Sequence, residues 1–266
     1  MAKFCSLFSS SKGNSTFLAS NSTRILIDAG VSCKRLSEAL LHREIDPQSI
    51  DAVFVTHDHS DHVSGIKVFC CKYSIPVFAT AETIRGLDRV QILNGKFDAY
   101  EIVPGKALSF GDLEITAAPT PHDREGSCCF SVRFPDERAA SVVTDLGHVT
   151  DDVHRLMESS DLVLIESNHD TQMLMAGPYP FDVKKRICDH ERGHLNNEQC
   201  AEECVRLILE GRATRFHLGH LSEQNNLPAL AFKTTESELK AAGVKLGVDC
   251  LLELCKPEGD GRIVRF

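Results

Sequence analysis

A membrane-length apolar run is the first thing this sequence lacks. No segment approaches the roughly 20 consecutive apolar residues that a spanning helix needs. The opening residues Met1-Ala2-Lys3-Phe4 lead into mixed polar sequence, without the apolar core of a secretory signal. A cytoplasmic protein with no membrane partner is expected. Paired cysteine spacing is missing too. The eleven cysteines form no CxxC pair, and an odd number cannot all pair within the chain. Cys70-Cys71 and Cys128-Cys129 are adjacent and suit no unstrained bridge. Reduced cysteines filling a core are therefore expected, with Cys200 and Cys204 a possible exception, four residues apart on one helix. Basic excess is absent: 29 Lys and Arg stand against 38 Asp and Glu, a formal charge of -9. That argues against a broadly basic nucleic-acid surface. Bound divalent cations would offset part of the deficit, concentrating positive charge where a phosphate could bind.

Repeats, low-complexity tracts and Pro/Gly/Ser linkers are also lacking. What is present is an ordinary globular composition, 42% hydrophobic and 25% charged, long enough for a substantial core. Short strand patterns alternate with helical ones from end to end. Strands are predicted over Phe4–Phe8, Thr16–Ala19, Arg24–Asp28, Asp51–Thr56, Pro76–Ala79, Leu113–Ala118 and Cys128–Phe134. Others follow at Ala140–Thr144, Asp161–Glu166, Thr214–Leu218 and Asp249–Leu254. Val53-Phe54-Val55 is too apolar for a half-exposed face, which implies sheets covered on both sides. Ser32 can cap a helix from Cys33 to about His42. Ala201, Cys204, Val205 and Ile208 mark a helix from Asn197 to Leu209, with Asn196 and Gln199 as a capping box and Gly211 at its end. This interleaving favours one layered α/β domain over residues 1–266.

The chemical signal is Thr56-His57-Asp58-His59-Ser60-Asp61-His62, placed between an apolar strand and a helix containing Val63, Ile66 and Phe69. A lone histidine is ordinarily solvated or packed in a core. Four metal-competent side chains in six residues at a strand end are another matter. His57 and His59, two apart in extended backbone, point the same way. Asp61 and His62 come a turn later and can face a second ion. Imidazole suits zinc, and carboxylate widens the choice toward manganese or iron.

The H-x-H-x-D-H pattern resembles the signature of the metallo-β-lactamase superfamily, and companion elements follow in order. Leu26-Ile27-Asp28-Ala29-Gly30 resembles its upstream strand-end Asp, and Pro121-His122-Asp123 its third motif. Val143-Thr144-Asp145 resembles its bridging carboxylate, and Leu218-Gly219-His220-Leu221-Ser222 its last histidine. The resemblance implies a four-layer αββα sandwich with two divalent ions, zinc or manganese, at one edge. One ion would take His57, His59 and His122. The other would take Asp61, His62 and His220, with Asp145 bridging and a hydroxide between the ions as nucleophile. Asp28 would orient the His57–His62 loop from behind.

Further segments are similar to the YycJ/WalJ-type branch of that superfamily. They are Ser9-Ser10-Ser11-Lys12-Gly13-Asn14-Ser15, Glu166-Ser167-Asn168-His169-Asp170, Gly193-His194-Leu195-Asn196-Asn197 and His220-Leu221-Ser222-Glu223-Gln224-Asn225-Asn226. The branch implies a DNA exonuclease working 5′ to 3′. Related tRNA 3′-end nucleases place a Glu and a His where Glu166 and His194 stand, the Glu orienting the His as general acid. His194 and Glu166, with Asp61, are thus the expected catalytic residues. Ser11, Asn14, Asn168 and His169 are candidate substrate contacts. His42, His154, His190 and His217 are read as structural or solvated, and Lys184-Lys185-Arg186 as either a solvated face or a backbone-binding run. Two alternatives stay open: a phosphodiesterase for cyclic or nucleoside phosphates, which the acidic charge favours, and a non-catalytic scaffold, which the complete donor set disfavours.

Overall fold

The computed structural model describes residues 1–258 and 261–266. The chain first lays down β1 (Lys3–Ser10), β2 (Gly13–Ala19), β3 (Arg24–Ile27), β4 (Ala52–Phe54), β5 (Val77–Ala79) and β6 (Ala99–Glu101). A second series follows: β7 (Leu108–Phe110), β8 (Leu113–Pro119), β9 (Cys128–Arg133), β10 (Ala139–Val143), β11 (Leu162–Glu166), β12 (Arg215–Gly219) and β13 (Leu251–Leu254). Then β14 (Val264–Arg265) returns to the first sheet beside β1. The sheet orders are β14-β1-β2-β3-β4-β5-β6 and β13-β12-β11-β10-β9-β8-β7. In both sheets a hairpin-linked antiparallel part joins a parallel part: β3 to β6 in one, β10 to β13 in the other.

Helices lie between strands: α1 (Cys33–Leu41), α2 (Ser60–Val63), α3 (Ile66–Tyr73), α4 (Ala81–Arg89), α5 (Asp151–Glu158), α6 (Thr171–Ala176), α7 (Phe181–Ile187), α8 (Asn197–Glu210) and α9 (Pro228–Ala241). Strand alternation explains how they stack. Ile25 and Ile27 of β3 and Phe54 of β4 point between the sheets, where they join Phe130, Val132, Val142 and Leu164. Leu26 and Val53, one residue out of phase, face outward onto Leu36 and Leu40 of α1 and Ile66 and Phe69 of α3. On the far side Val143, Val163 and Ile165 cover Val153 and Met157 of α5, with Cys200, Cys204 and Leu207 of α8. The layers are therefore helix, sheet, sheet, helix. Both faces of each sheet are buried, which accounts for the unbroken apolar runs.

The expected strands all occur, with ends shifted by a residue or a few. Three strands carried no sequence signal. β6 and β7 are short edge strands whose side chains are exposed or half-buried, and β14 has only two residues. The capping box on α8 forms, Asn196 accepting from Gln199 N at 2.7 Å and Gln199 Oε1 from Asn196 N at 3.0 Å. The helix expected after the histidine motif is broken at Gly65 into α2 and α3. No disulfide links the eleven cysteines among the described residues, and most are buried. No described helix is long and apolar enough to cross a membrane.

Phe54 is fully buried between the sheets, with ring centroids 4.9 Å from Phe78 and 5.8 Å from Phe130. Phe54→Ala should lower unfolding free energy by about 3–5 kcal/mol in chemical denaturation. A loss under ~1 kcal/mol would show that this layer is not close-packed.

Candidate metal centre

The parallel segments bring strand ends to a common edge. Asp28 follows β3, the histidine motif follows β4, Asp145 follows β10, Glu166 ends β11, and His220 follows β12. Asp28, Asp145 and His220 have left-handed backbone, with φ of 63°, 62° and 52°. Asp and His are among the residue types that tolerate this region, and it turns each chain sharply as it leaves its strand.

Histidine nitrogens converge on one side. His57 Nε2 lies 2.9 Å from His59 Nδ1, and His122 Nε2 lies 3.3 Å from the same atom. On the other side His62 Nε2 is 3.2 Å from Asp145 Oδ2 and 3.5 Å from Asp61 Oδ2, while His220 Nε2 is 3.7 Å from Asp61 Oδ2. Three overlapping groups result: His57, His59 and His122; His57, His62 and Asp145; Asp61, His62 and His220. Within each, the donor atoms lie within 4.8 Å of one another. All seven residues expected as ligands thus meet at one place, with Asp145 between the halves. Glu166 and His194 form a further group with Asp145 and His220.

The donor set fits divalent cations on two counts. Asp145 Oδ2 and His220 Nε2 are buried without a well-aligned hydrogen bond, having only the ion-pair contacts to His62 Nε2 at 3.2 Å and Asp61 Oδ2 at 3.7 Å respectively, an arrangement that a coordinated cation completes. The ionisation states agree. Burial, reinforced by neighbouring imidazoles, pushes His57, His59 and His122 below the ordinary histidine pKa, and a neutral ring is the form that coordinates. Burial opposes charge on His62 and His220 as well, yet adjacent carboxylates, Asp145 foremost, outweigh it and raise both. Those protons stand where cations would compensate the same acids.

Behind these atoms lies a supporting layer. Asp28 is buried and accepts from Thr56 N and Thr56 Oγ1, both at 2.9 Å, and it meets His62 Nδ1 at 2.8 Å. Thr56 Oγ1 also lies 3.0 Å from His57 Nδ1. Sequence reading missed Thr56, although its place just ahead of the motif was a usable signal. Two glycines make room. A Cβ on Gly30 would sit 1.6 Å from Asp61 O, and one on Gly86 would sit 2.3 Å from Asp58 Oδ2.

Glu166 is fully buried and more central than its expected partnership with His194 implies. Its Oε1 meets His194 Nδ1 at 2.9 Å and also His220 Nδ1 at 2.6 Å. Its Oε2 accepts from Leu146 N at 3.3 Å and Leu195 N at 3.1 Å. Burial raises its pKa, but the two imidazoles outweigh burial and hold it at about 2. Burial likewise opposes a charged His194, whose side chain is 22% exposed, and the Glu166 carboxylate overcomes that to raise its pKa.

Three of the four candidate substrate contacts need correction. Asn14 is buried, and its amide donates to Ser10 O at 3.0 Å and lies 3.0 Å from His62 Nε2, so it braces the motif loop. Asn168 is buried with Nδ2 donating to His220 O at 3.0 Å. His169 is buried, its pKa pushed down to about 4 by burial. Only Ser11 is exposed, on the β1–β2 turn. For Asn168 and His169 the physical reason is shared: the segments around Glu166, Asn197 and Asn226 clamp one another. Ser167 Oγ donates to Asn197 Oδ1 at 2.7 Å, Asn197 Nδ2 to Asn226 Oδ1 at 3.0 Å, and Asn226 Nδ2 to Asn168 O at 3.1 Å. These asparagines hold loops together and do not face solvent. Of the histidines read as structural, His154 joins α5 to Glu203 of α8 at 2.6 Å, and His217 is buried 4.7 Å from the Phe4 ring.

With this geometry in place, relatives can be compared. A family model described as a beta-lactamase superfamily domain matches residues 23–221. The metallo-β-lactamase fold protein YhfI from Bacillus subtilis superposes with a TM-score of 0.71 at 15% identity, covering 99% of this chain and 98% of its own. The chain belongs to the metallo-β-lactamase superfamily. Exodeoxyribonuclease WalJ of Streptococcus pneumoniae is 36% identical over 251 residues, covering 93% of this chain and 91% of WalJ. Exodeoxyribonuclease YycJ of Bacillus anthracis is 31% identical over 245 residues, covering 92% and 91%. Within the superfamily, this is a member of the WalJ/YycJ branch.

The Gly30 contact generates a direct test. Gly30→Ala forces Asp61 and the motif loop to move, and should destabilise the protein by about 2–3 kcal/mol. A melting temperature equal to wild type would refute this packing.

Proposed function

We propose that this chain is a metal-dependent phosphodiester hydrolase acting on DNA as an exonuclease, in the 5′-to-3′ direction. Kinship with two exodeoxyribonucleases over nine-tenths of the chain supports the substrate. The observation that carries the chemistry is the Glu166–His194 pair, hydrogen-bonded at 2.9 Å beside the donor cluster. Residues from both ends of the chain enter the same sheet, β1 beside β14, which supports one domain.

His57, His59 and His122 would hold one ion and Asp61, His62 and His220 the other, with Asp145 between them. The imidazole-rich half suits zinc, and the carboxylates also admit manganese. Ions so held supply Lewis acidity, polarising a phosphoryl oxygen and making water a competent nucleophile near neutral pH. The remaining work falls to the chain. The attacking water gives up one proton to solvent as its oxygen bonds to phosphorus, the bond from phosphorus to the leaving oxygen breaks, and that oxygen takes a proton from His194, which solvent then reprotonates. Glu166 keeps the imidazole protonated and oriented through Nδ1, which leaves Nε2 to deliver the proton. Eleven unpaired thiols suit a reducing, cytoplasmic setting.

Protein purified without chelator should carry about two transition-metal ions per chain, by elemental analysis. Asp145→Ala should lower both occupancy and turnover. Full metal content and activity in that variant would remove Asp145 from the site.

The roles of His194 and Glu166 separate by substrate. His194→Ala should retain metal and lose about 10²–10⁴-fold in kcat on DNA. Its loss on bis-p-nitrophenyl phosphate should be far smaller, because p-nitrophenolate leaves without help. Glu166→Gln should move the alkaline limb of the DNA pH profile to lower pH, because the carboxylate that raises the His194 pKa is gone. It should also weaken metal retention through its second contact, with His220. Metal loss in His194→Ala would make His194 a ligand. Hydrolysis of bis-p-nitrophenyl phosphate without any of DNA would favour the small-molecule reading.

A further inference from the structure

Beside the histidine-rich half of the centre lies a cavity of about 220 Å³, lined by His59, His122 and His194 and by Arg124, Arg186 and Arg192. Its one acid, Asp123, already faces His59 Nε2 at 3.1 Å. Arg124 is engaged with Asp58 at 3.4 Å. Arg186 and Arg192 have no side-chain partner among the described residues, an unusual concentration of unneutralised charge in a chain of formal charge -9.

The backbone holds these two arginines in place. Arg186 lies in the last turn of α7, a helix with no buried residue, so little core packing explains why it sits there. The loop from Ile187 folds back on that helix: Gly193 N donates to Asp189 O at 2.8 Å and His194 N to Ile187 O at 3.0 Å. Gly193 permits this, since a Cβ there would lie 2.2 Å from Ile187 O. Gly193 O in turn meets His122 Nδ1 at 3.3 Å. Arg192 is therefore two residues from His194 on a loop tied to His122. The basic run at the end of α7 divides its labour, for Lys184 Nζ is spent on Met175 O at 2.6 Å while Arg186 lines the cavity.

We propose that Arg186 and Arg192 form a subsite for a second phosphate of the substrate strand, adjacent to the one cleaved and on the His194 side. The proposal rests on the phosphodiesterase reading above and deepens it: a substrate with at least two phosphates is recognised. Guanidinium groups match phosphate through paired N–H donors, and their charge adds affinity that falls with salt. The phosphate is either the 5′-terminal one or an internal diester, which share this chemistry.

The test compares wild type with the Arg186→Ala/Arg192→Ala double variant, as full-length metal-loaded protein. Binding of a fluorescent phosphorothioate-linked DNA strand is followed across salt concentrations, so that turnover plays no part. The double variant should bind about tenfold more weakly, and its log–log salt slope should fall by roughly one to two. Its loss of kcat/KM on DNA should exceed its loss on bis-p-nitrophenyl phosphate, which has a single phosphorus, by at least about fivefold. Weakening confined to 5′-phosphorylated strands assigns the terminal phosphate, and weakening on 5′-hydroxyl strands as well assigns an internal one. Unchanged affinity and slope in a variant whose parent cleaves DNA would overturn the subsite and leave the nuclease reading standing. So would equal losses on both substrates. A wild type that neither binds nor cleaves DNA would sink the nuclease reading and the subsite with it.

Discussion

Glu166 is a carboxylate with no solvent exposure, and the arrangement of the catalytic edge follows from keeping it ionised. Removing a carboxylate from water costs several kcal/mol unless donors replace the lost hydration. Here the donors come from separate loops: Leu146 after β10, His194 and Leu195 ahead of α8, and His220 after β12. Each loop must close on the same point for the charge to be tolerated. The Ser167, Asn197 and Asn226 clamp performs that closure with neutral amides, so the loops are bound without further buried charge.

Asp28 is the counterpart on the opposite sheet, although there burial outweighs His62 and Thr56 and raises its pKa. It is buried, bonded to Thr56 through backbone and hydroxyl, and set against His62 Nδ1. Each sheet thus contributes one buried acid that orients an imidazole through Nδ1 and leaves Nε2 turned to the centre. Polar groups built this way are rigid, because any excursion exposes an unpaired charge to a low-dielectric interior. Asp28, Asp145 and His220 each take a left-handed backbone just past a strand end, which turns the chain sharply there.

The donor cluster has two electrostatic halves. Around His57, His59 and His122 the rings are held neutral, and the neighbouring cavity opens toward the arginines. Around Asp61, Asp145 and Glu166 the acids dominate and raise His62, His194 and His220. On the proposed reading, a negatively charged phosphate would meet the first half, with His194 at the border between the two. An acidic chain can accept an anionic substrate on these terms because charge is arranged locally, whatever its total.

The unbroken apolar runs of β3 and β4, the H-x-H-x-D-H spacing and the capping box at Asn196 are local patterns, so the sequence alone determined a layered α/β fold with covered sheets and the donors His57, His59, Asp61 and His62, while resemblance to a family added His122, Asp145 and His220. Glu166 and His194 were paired by resemblance to related nucleases, not by any local pattern. Other features depended on which loops meet. Nothing near Glu166 in the chain announces His220 as its second partner, 54 positions away. Asn14, Asn168 and His169 look like ordinary loop donors until the packing of neighbouring loops buries them. Arg186 stays open between a solvated face and a backbone-binding run, and Arg192 carries no signal, until α7 and its loop fold back beside His122. The physical reason is common to all of these: side-chain chemistry and short-range periodicity are written along the chain, whereas burial and charge environment belong to segments that only tertiary closure brings together.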